Sequence, residues 1–269
     1  MTAGGPLVSL SKVTVVRDGS TLLSDVDWVV YPGQHWVVFG ANGSGKTTLM
    51  EVVSTYLFPS KGSVSILGEQ LGRTDARLLR ARIGYVGPGP SSLVRQSFTA
   101  VEIVVTGRHA SFVGSKWHHY TDRDWDHARL CLERLHASDL ADRRYATLSE
   151  GEKKRVVIAR SLMSEPELLV LDEPGSALDL GARERLIESL TALAADADAP
   201  SSILVTHHVE EIPPGFRHIL MLASGKVVAA GIITDVLTPT TLSDTFGMPL
   251  QVERIGERWR AWGLTGPIR

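Results

Sequence analysis

The chain has 269 residues, 43% of them apolar, enough for an extensive buried core and against global disorder. Its formal net charge is −2, with acids and bases interspersed, so no basic tail offers a surface for a polyphosphate and no nucleic-acid partner is expected. The single cysteine, Cys131, has no second thiol to pair with, which fits a reducing compartment. Met1 to Pro6 lacks the charged and apolar regions of a secretion signal, and no run approaches the ~20 apolar residues that span a bilayer. Any membrane role is therefore expected to run through a partner.

The first forty residues read as β structure. Val13 to Val16 and Leu22 to Val30 are rich in β-branched residues and are separated by the turn signal Asp18-Gly19-Ser20. Val26, Trp28 and Val30 alternate with Asp27 and Val29, as in a half-buried strand. Pro32-Gly33 turns the chain into His35 to Phe39, a short apolar run of the kind buried on both faces. Gly87 to Ser92 is a loop by composition. Trp125, Ala128, Leu132 and Leu135 then mark one face of a helix, with Thr121 or Asp122 as its cap.

Beyond that helix, Leu168 to Leu171 reads as a buried strand and Leu186, Leu190 and Leu193 as a helix face. Ile203 to Thr206 is a further strand, and His218 to Gly231 is a hairpin turning at Ser224-Gly225. This rhythm predicts an α/β fold with a mainly parallel sheet, an antiparallel β edge and an inserted helical subdomain. We expect one domain over residues 1–269. Residues 1–87 and 165–235 form its core, 88–164 a helical insertion, and 236–269 a C-terminal extension.

Gly40-Ala41-Asn42-Gly43-Ser44-Gly45-Lys46-Thr47 matches G-x-x-x-x-G-K-[ST] at every fixed position, after a predicted strand and before a helix. A glycine-rich turn alone would account for the glycines, but not for Lys46 and Thr47 in this context. The loop lets main-chain N–H groups surround phosphates at a helix N-terminus, so Gly40 to Thr48 are the nucleotide-binding candidates. Lys46 would reach the β- and γ-phosphates of a nucleotide, and the Thr47 hydroxyl would bind Mg²⁺.

Leu168 to Pro174 delivers two adjacent acids, Asp172 and Glu173, at the C-terminal end of a buried strand, where open α/β sheets bind ligands. Asp172 would hold Mg²⁺ through water, and Glu173 would polarise the attacking water. Leu148-Ser149-Glu150-Gly151-Glu152 reads as a capping box, S-x-x-E, opening a helix. The same helix end is also an anion site, and the two readings are compatible. The following Lys153-Lys154-Arg155 is expected to be a solvated helix face.

On these residues the chain resembles the ABC ATPase family. The family's signature L-S-G-G-Q is similar to Leu148 to Glu152, with Glu150 and Glu152 departing at the third and fifth places. Its S-A-L-D loop is matched by Ser176 to Asp179, and its switch histidine by His207 at a strand end. The resemblance covers residues 7–235. It implies hydrolysis of ATP to ADP and phosphate with Mg²⁺, by a head-to-tail homodimer holding two ATP molecules between protomers. Ser149 and Gly151 of one protomer would complete the phosphate loop of the other, with His207 at the γ-phosphate. It also implies separate transmembrane subunits and a place on the cytoplasmic face of the membrane, as in stand-alone members of iron- or molybdenum-type uptake systems. The alternative within the family is a soluble mechanochemical ATPase, such as an iron–sulfur cluster assembly accessory or a translation- or repair-associated factor.

Two departures stand out. Arg17 occupies the place of the family's adenine-stacking aromatic, and is either a guanidinium that stacks on the base or a solvated turn residue. Gly87-Pro88 stands where the family has its Q-loop glutamine, so either Gln96 substitutes or the metal and water contact is weakened. Phe98, Phe112, Val113 and Trp117 make Gly87 to Trp117 either a docking surface for a membrane partner or packing within the helical subdomain. Trp117-His118-His119 lacks further ligands at metal-binding spacing and reads as an exposed or partner-facing loop. Cys131 is expected in the core, and His208 behind His207.

Overall fold

The structure, a computed structural model, describes residues 5–87, 94–109 and 119–264. In chain order its strands are β1 (Val8–Arg17), β2 (Ser20–Val30), β3 (His35–Phe39), β4 (Lys61–Ile66), β5 (Glu69–Gln70) and β6 (Ile83–Val86). There follow β7 (Leu168–Asp172), β8 (Ser201–Thr206), β9 (His218–Ala223), β10 (Lys226–Ile232), β11 (Leu250–Ile255) and β12 (Arg258–Gly263). The helices are α1 (Lys46–Val53), α2 (Ala76–Ala81), α3 (Ala100–Val105) and α4 (Asp122–Arg134). The later ones are α5 (Glu150–Leu162), α6 (Leu180–Ala195), α7 (Ile233–Val236) and α8 (Pro239–Phe246). The fold is α/β. Two compact units divide the chain, one from the stretches up to Leu79 and from Ile203 onward, the other from Arg80 to Ser202.

In the first unit an antiparallel sheet runs β2-β1-β4-β5. Along β2, Val26, Trp28 and Val30 are buried while Asp27 and Val29 face outward, the period of two read from the sequence. β1 starts at Val8, five residues before the predicted Val13, and pairs Val8 with Val30. The register breaks between Leu10 and Val13, where Lys12 adopts φ +52 and its N–H donates to Asp27 Oδ1 at 2.9 Å. This bulge splits the apolar pattern of the strand into two short pieces.

The same unit holds the neighbouring strands β10, β9, β3 and, from Ile203 onward, β8, with β3 parallel to β9 and β10 closing an antiparallel hairpin on β9. Trp36 to Phe39 are all buried, so β3 shows no alternation. The C-terminal stretch is folded: α8 is capped by Thr238, and β11 and β12 form a two-stranded antiparallel ribbon turning near Gly256.

In the second unit β6 and β7 are parallel neighbours, and every residue of β7 is buried. The helices α3, α4 and α5 pack on one another, and α6 packs on α5. Thr121, rather than Asp122, caps α4 and forms a reciprocal capping box with Asp124. Ala128, Cys131, Leu132 and Leu135 are buried, whereas Trp125 is half-buried. The carbonyls at the end of α4 lack partners within the helix. Ser189 Oγ donates to Leu135 O at 2.9 Å, and the Arg155 guanidinium donates to His136 O. The expectation of a solvated basic face is corrected at Arg155, which is buried because it serves this helix end; Lys153 and Lys154 are half-buried.

Candidate nucleotide site

The phosphate loop leaves β3 at Phe39 and enters α1 at Lys46. Its glycines are needed for different reasons. A Cβ at Gly40 would lie 2.2 Å from the carbonyl oxygen of Leu222, so only a hydrogen fits. Gly45 has φ +104, and a Cβ there would meet Leu22 O and Leu23 Cδ2, each at 2.9 Å. The turn between β9 and β10 braces the loop: Gly225 N–H donates to Ser44 O at 3.0 Å, and Gly225 O accepts from Ser24 N–H at 2.8 Å.

Lys46 is buried, and its ammonium donates to the carbonyls of Gly40 at 2.9 Å and Ala41 at 3.0 Å. Helix α1 has Gly45 as its N-cap and no side-chain cap hydrogen bond, unlike α3, α4, α5 and α8, which have capping boxes. A helix N-terminus without a side-chain cap is the kind of end that suits an anion. Ser44 Oγ is buried with no hydrogen-bond partner among the described residues, Thr47 is exposed, and Thr48 is half-buried. This arrangement can hold a phosphate chain.

Arg17 and His207 belong to the same unit as the phosphate loop. Arg17 lies at the β1–β2 turn, paired with Ser20, its side chain exposed and Nε 3.9 Å from Asp18 Oδ2. His207 follows β8, and its ring centroid is 4.2 Å from that of His208. Behind them Thr206 Oγ1 donates to Glu211 Oε2 and accepts from His208 N–H at 3.1 Å. Glu210 is gripped by β12: Arg258 Nη2 donates to its carbonyl at 2.7 Å, and Ala261 N–H to its Oε1 at 3.3 Å.

Asp172, Glu173, Ser149 and Gly151 belong to the other unit. Asp172 is buried at the end of β7, and Tyr85 on β6 donates to its Oδ2 at 3.4 Å. A Cβ at Gly87 would lie 2.4 Å from Tyr85 Oη, so the glycine leaves room for that hydroxyl. Glu173 adopts φ +49, a left-handed conformation that costs a non-glycine residue about 1–2 kcal/mol. Its carbonyl accepts from Ser176 N–H at 3.1 Å, which turns the chain into the S-A-L-D segment. There Asp179 Oδ1 caps α6 by accepting from Ala182 N–H at 2.7 Å.

At the start of α5, Ser149 N–H donates to Glu152 Oε2 at 2.7 Å and Ser149 Oγ accepts from Glu152 N–H at 3.4 Å. Burial would raise the Glu152 carboxyl, but the Ser149 hydrogen bonds and the Arg143 guanidinium prevail and hold it below the usual range. A Cβ at Gly151 would lie 2.7 Å from Ala182 Cβ, so this glycine permits the close approach of α5 and α6. Gln96 is exposed, with its carbonyl accepting from Ala146 N–H at 3.1 Å. Phe98 is half-buried, with Arg95 over its ring at 5.1 Å. Pro88, Phe112, Val113, Trp117 and His118 lie outside the described residues.

The sequence does not announce the part that two residues play here. Tyr85 is detectable only as a polar tip at the end of an apolar strand. Gly225 reads as a hairpin turn, and nothing local signals that the turn holds the phosphate loop.

A phosphate loop that heads a helix with no side-chain cap, and an acidic pair ending a buried strand, define the class of P-loop ATPases. Residues 23–176 match the family described as ABC transporter, and the chain belongs to that family. It is an ATP-binding and ATP-hydrolysing subunit of the ABC transporter type. It is 40% identical to the uncharacterized ABC transporter ATP-binding protein YlmA of Bacillus subtilis (strain 168), over 91% of this chain and 93% of that protein. It is 33% identical to the hemin import ATP-binding protein HmuV of Burkholderia cenocepacia (strain HI2424), over 93% of this chain and 97% of that protein. Its fold is similar to the dimeric post-hydrolysis state of the ATP-binding cassette MJ0796 bound to ADP and Pi. That match has a TM-score of 0.70 at 24% identity and covers 84% of this chain and 98% of the other. Among the described residues no helix is long and apolar enough to cross a membrane.

Proposed function

We propose that the chain works as a head-to-tail homodimer on the cytoplasmic face of a membrane, where MgATP-driven closure is passed to separate transmembrane subunits. The observation that carries the reading is the phosphate loop, whose shape is set by glycines and whose helix has no side-chain cap. Lys46 and the N–H groups of Gly40 to Thr48 bind the phosphates. Arg17 stacks on the adenine. Ser149 and Gly151 of the second protomer take the terminal phosphate, and His207 contacts it in the closed state. Glu173 orients the attacking water, and its left-handed turn fixes where the carboxylate starts. Thr47 and Asp172 offer hard oxygen donors that fit Mg²⁺. When bound, the ion offsets the negative charge of the phosphates.

Glu173→Gln tests the reading. The variant should bind ATP, lose about 100-fold or more in turnover, and run as a dimer on size exclusion with MgATP. A monomer at every ATP concentration with unchanged turnover would be incompatible with both the role of Glu173 and the two-protomer site.

A further inference from the structure

Helix α5 opens with two carboxylates in its first turn, Glu150 and Glu152. Negative charge there suits the helix dipole, but it opposes any phosphate approaching the same end. Each carboxylate has a cation. Lys153, on the same helix, reaches Glu150 Oε1 at 2.8 Å, and that glutamate side chain is 69% exposed. Glu152 is only 21% exposed and uses both oxygens, Oε2 for Ser149 N–H at 2.7 Å and Oε1 for Arg143 Nη1 at 2.7 Å.

Arg143 does not belong to α5. Its N–H donates to Leu140 O at 2.9 Å and its carbonyl accepts from Ala100 N–H at 2.9 Å, so its backbone is held on both sides. Its Nη2 also donates to Thr147 O at 3.5 Å. The guanidinium is therefore brought to Glu152 by a separate, anchored segment. Partly exposed pairs of this kind add little to fold stability. The larger consequence is local, because the pair cancels a charge on the residue whose oxygen holds Ser149.

We propose that Arg143 is a positioning residue for ATP turnover: it neutralises Glu152, so that the helix end at Ser149 and Gly151 accepts the terminal phosphate of ATP bound to a second copy of the chain. The inference rests on the assignment of Ser149 and Gly151 given above. It accounts for an acid at a place where the ABC signature has a neutral glutamine: the chain carries its own counter-charge.

Steady-state ATPase kinetics on the full chain test this with Arg143→Ala, Glu152→Gln and the double variant. With Glu152 present, Arg143→Ala should raise KM for MgATP about five-fold or more, as expected for contacting charges. In the Glu152→Gln background the same change should shift KM by less than about two-fold, and Arg143→Lys should recover most of the loss. A merely structural arginine would give the same shift in both backgrounds, and that result, or no shift in either, overturns the proposal. If Arg143→Ala does not fold, Arg143→Gln in the two backgrounds makes the same comparison. Ser149→Phe separates the two levels. If it turns over like the wild type, the assignment of the helix end is wrong; if it is inactive while Arg143→Ala leaves KM unchanged, only the role of Arg143 falls.

Discussion

Lys46 Nζ donates to the carbonyl oxygen of Gly40 at 2.9 Å, tying the start of the phosphate loop to a side chain six residues on. Lys46→Ala removes the charge proposed to face the phosphates but leaves the glycines and the Gly225–Ser44 brace in place. The variant should fold, with circular dichroism like the wild type, and lose about 100-fold or more in ATPase activity. Near wild-type turnover from a folded Lys46→Ala protein would take Lys46 out of the machinery.

Arg17 has an exposed side chain with only a 3.9 Å approach to Asp18, so its guanidinium can turn to a base at little cost. Base stacking contributes about 1–3 kcal/mol, so Arg17→Ala should weaken ATP binding several-fold or more, and Arg17→Tyr should restore most of it. Titration of a fluorescent ATP analogue reads both. Equal affinity in all three proteins would leave Arg17 a solvated turn residue.

Arg155 is buried, and its burial lowers the guanidinium's affinity for its proton while its N–H serves the His136 carbonyl. Arg155→Met leaves that carbonyl without this donor and should cost about 1–3 kcal/mol in urea unfolding. Lys154→Ala, in the same basic run, should change stability by less than about 0.5 kcal/mol. Equal effects would contradict the helix-end role.

Burial pushes the Cys131 thiol up from 9.0 to about 12. The folded state thus keeps the proton after the unfolded chain has lost it. This contribution to stability is complete below about pH 9 and declines as pH rises toward 12. Iodoacetamide at pH 8 should therefore label Cys131 in urea but not in the native protein, and mass spectrometry reads the difference. Rapid native labelling would show the thiol to be accessible.

Much of this architecture is written locally. The alternation of Val26, Trp28 and Val30 fixes the buried face of β2, and Ser149 with Glu152 announces the start of α5. The phosphate loop is legible because its glycines, Lys46 and Thr47 have fixed spacing. What the sequence hides depends on neighbours distant along the chain. Tyr85 and Asp172 are 87 positions apart and meet only because β6 lies beside β7. Arg155 looks like Lys153 and Lys154 until α4 supplies a carbonyl for it. The β1 bulge conceals the first half of its strand, and the ribbon β11–β12 alternates too weakly, among exposed acids and arginines, to stand out. The roles proposed for Ser149, Gly151 and His207 rest on family resemblance, since nothing in their local pattern specifies a second protomer.

The grip of β12 on Glu210 joins residues 48 and 51 positions apart. Glu210 leaves the ribosome well before Arg258 and Ala261, so during synthesis the segment just after His207 spends a period without the ribbon that later holds it. The phosphate loop lies earlier still in the chain, but its brace, Gly225, also follows Glu210. The nascent chain therefore carries the residues of the phosphate loop first, then the Gly225 turn that braces it, and last the ribbon that grips the segment after His207.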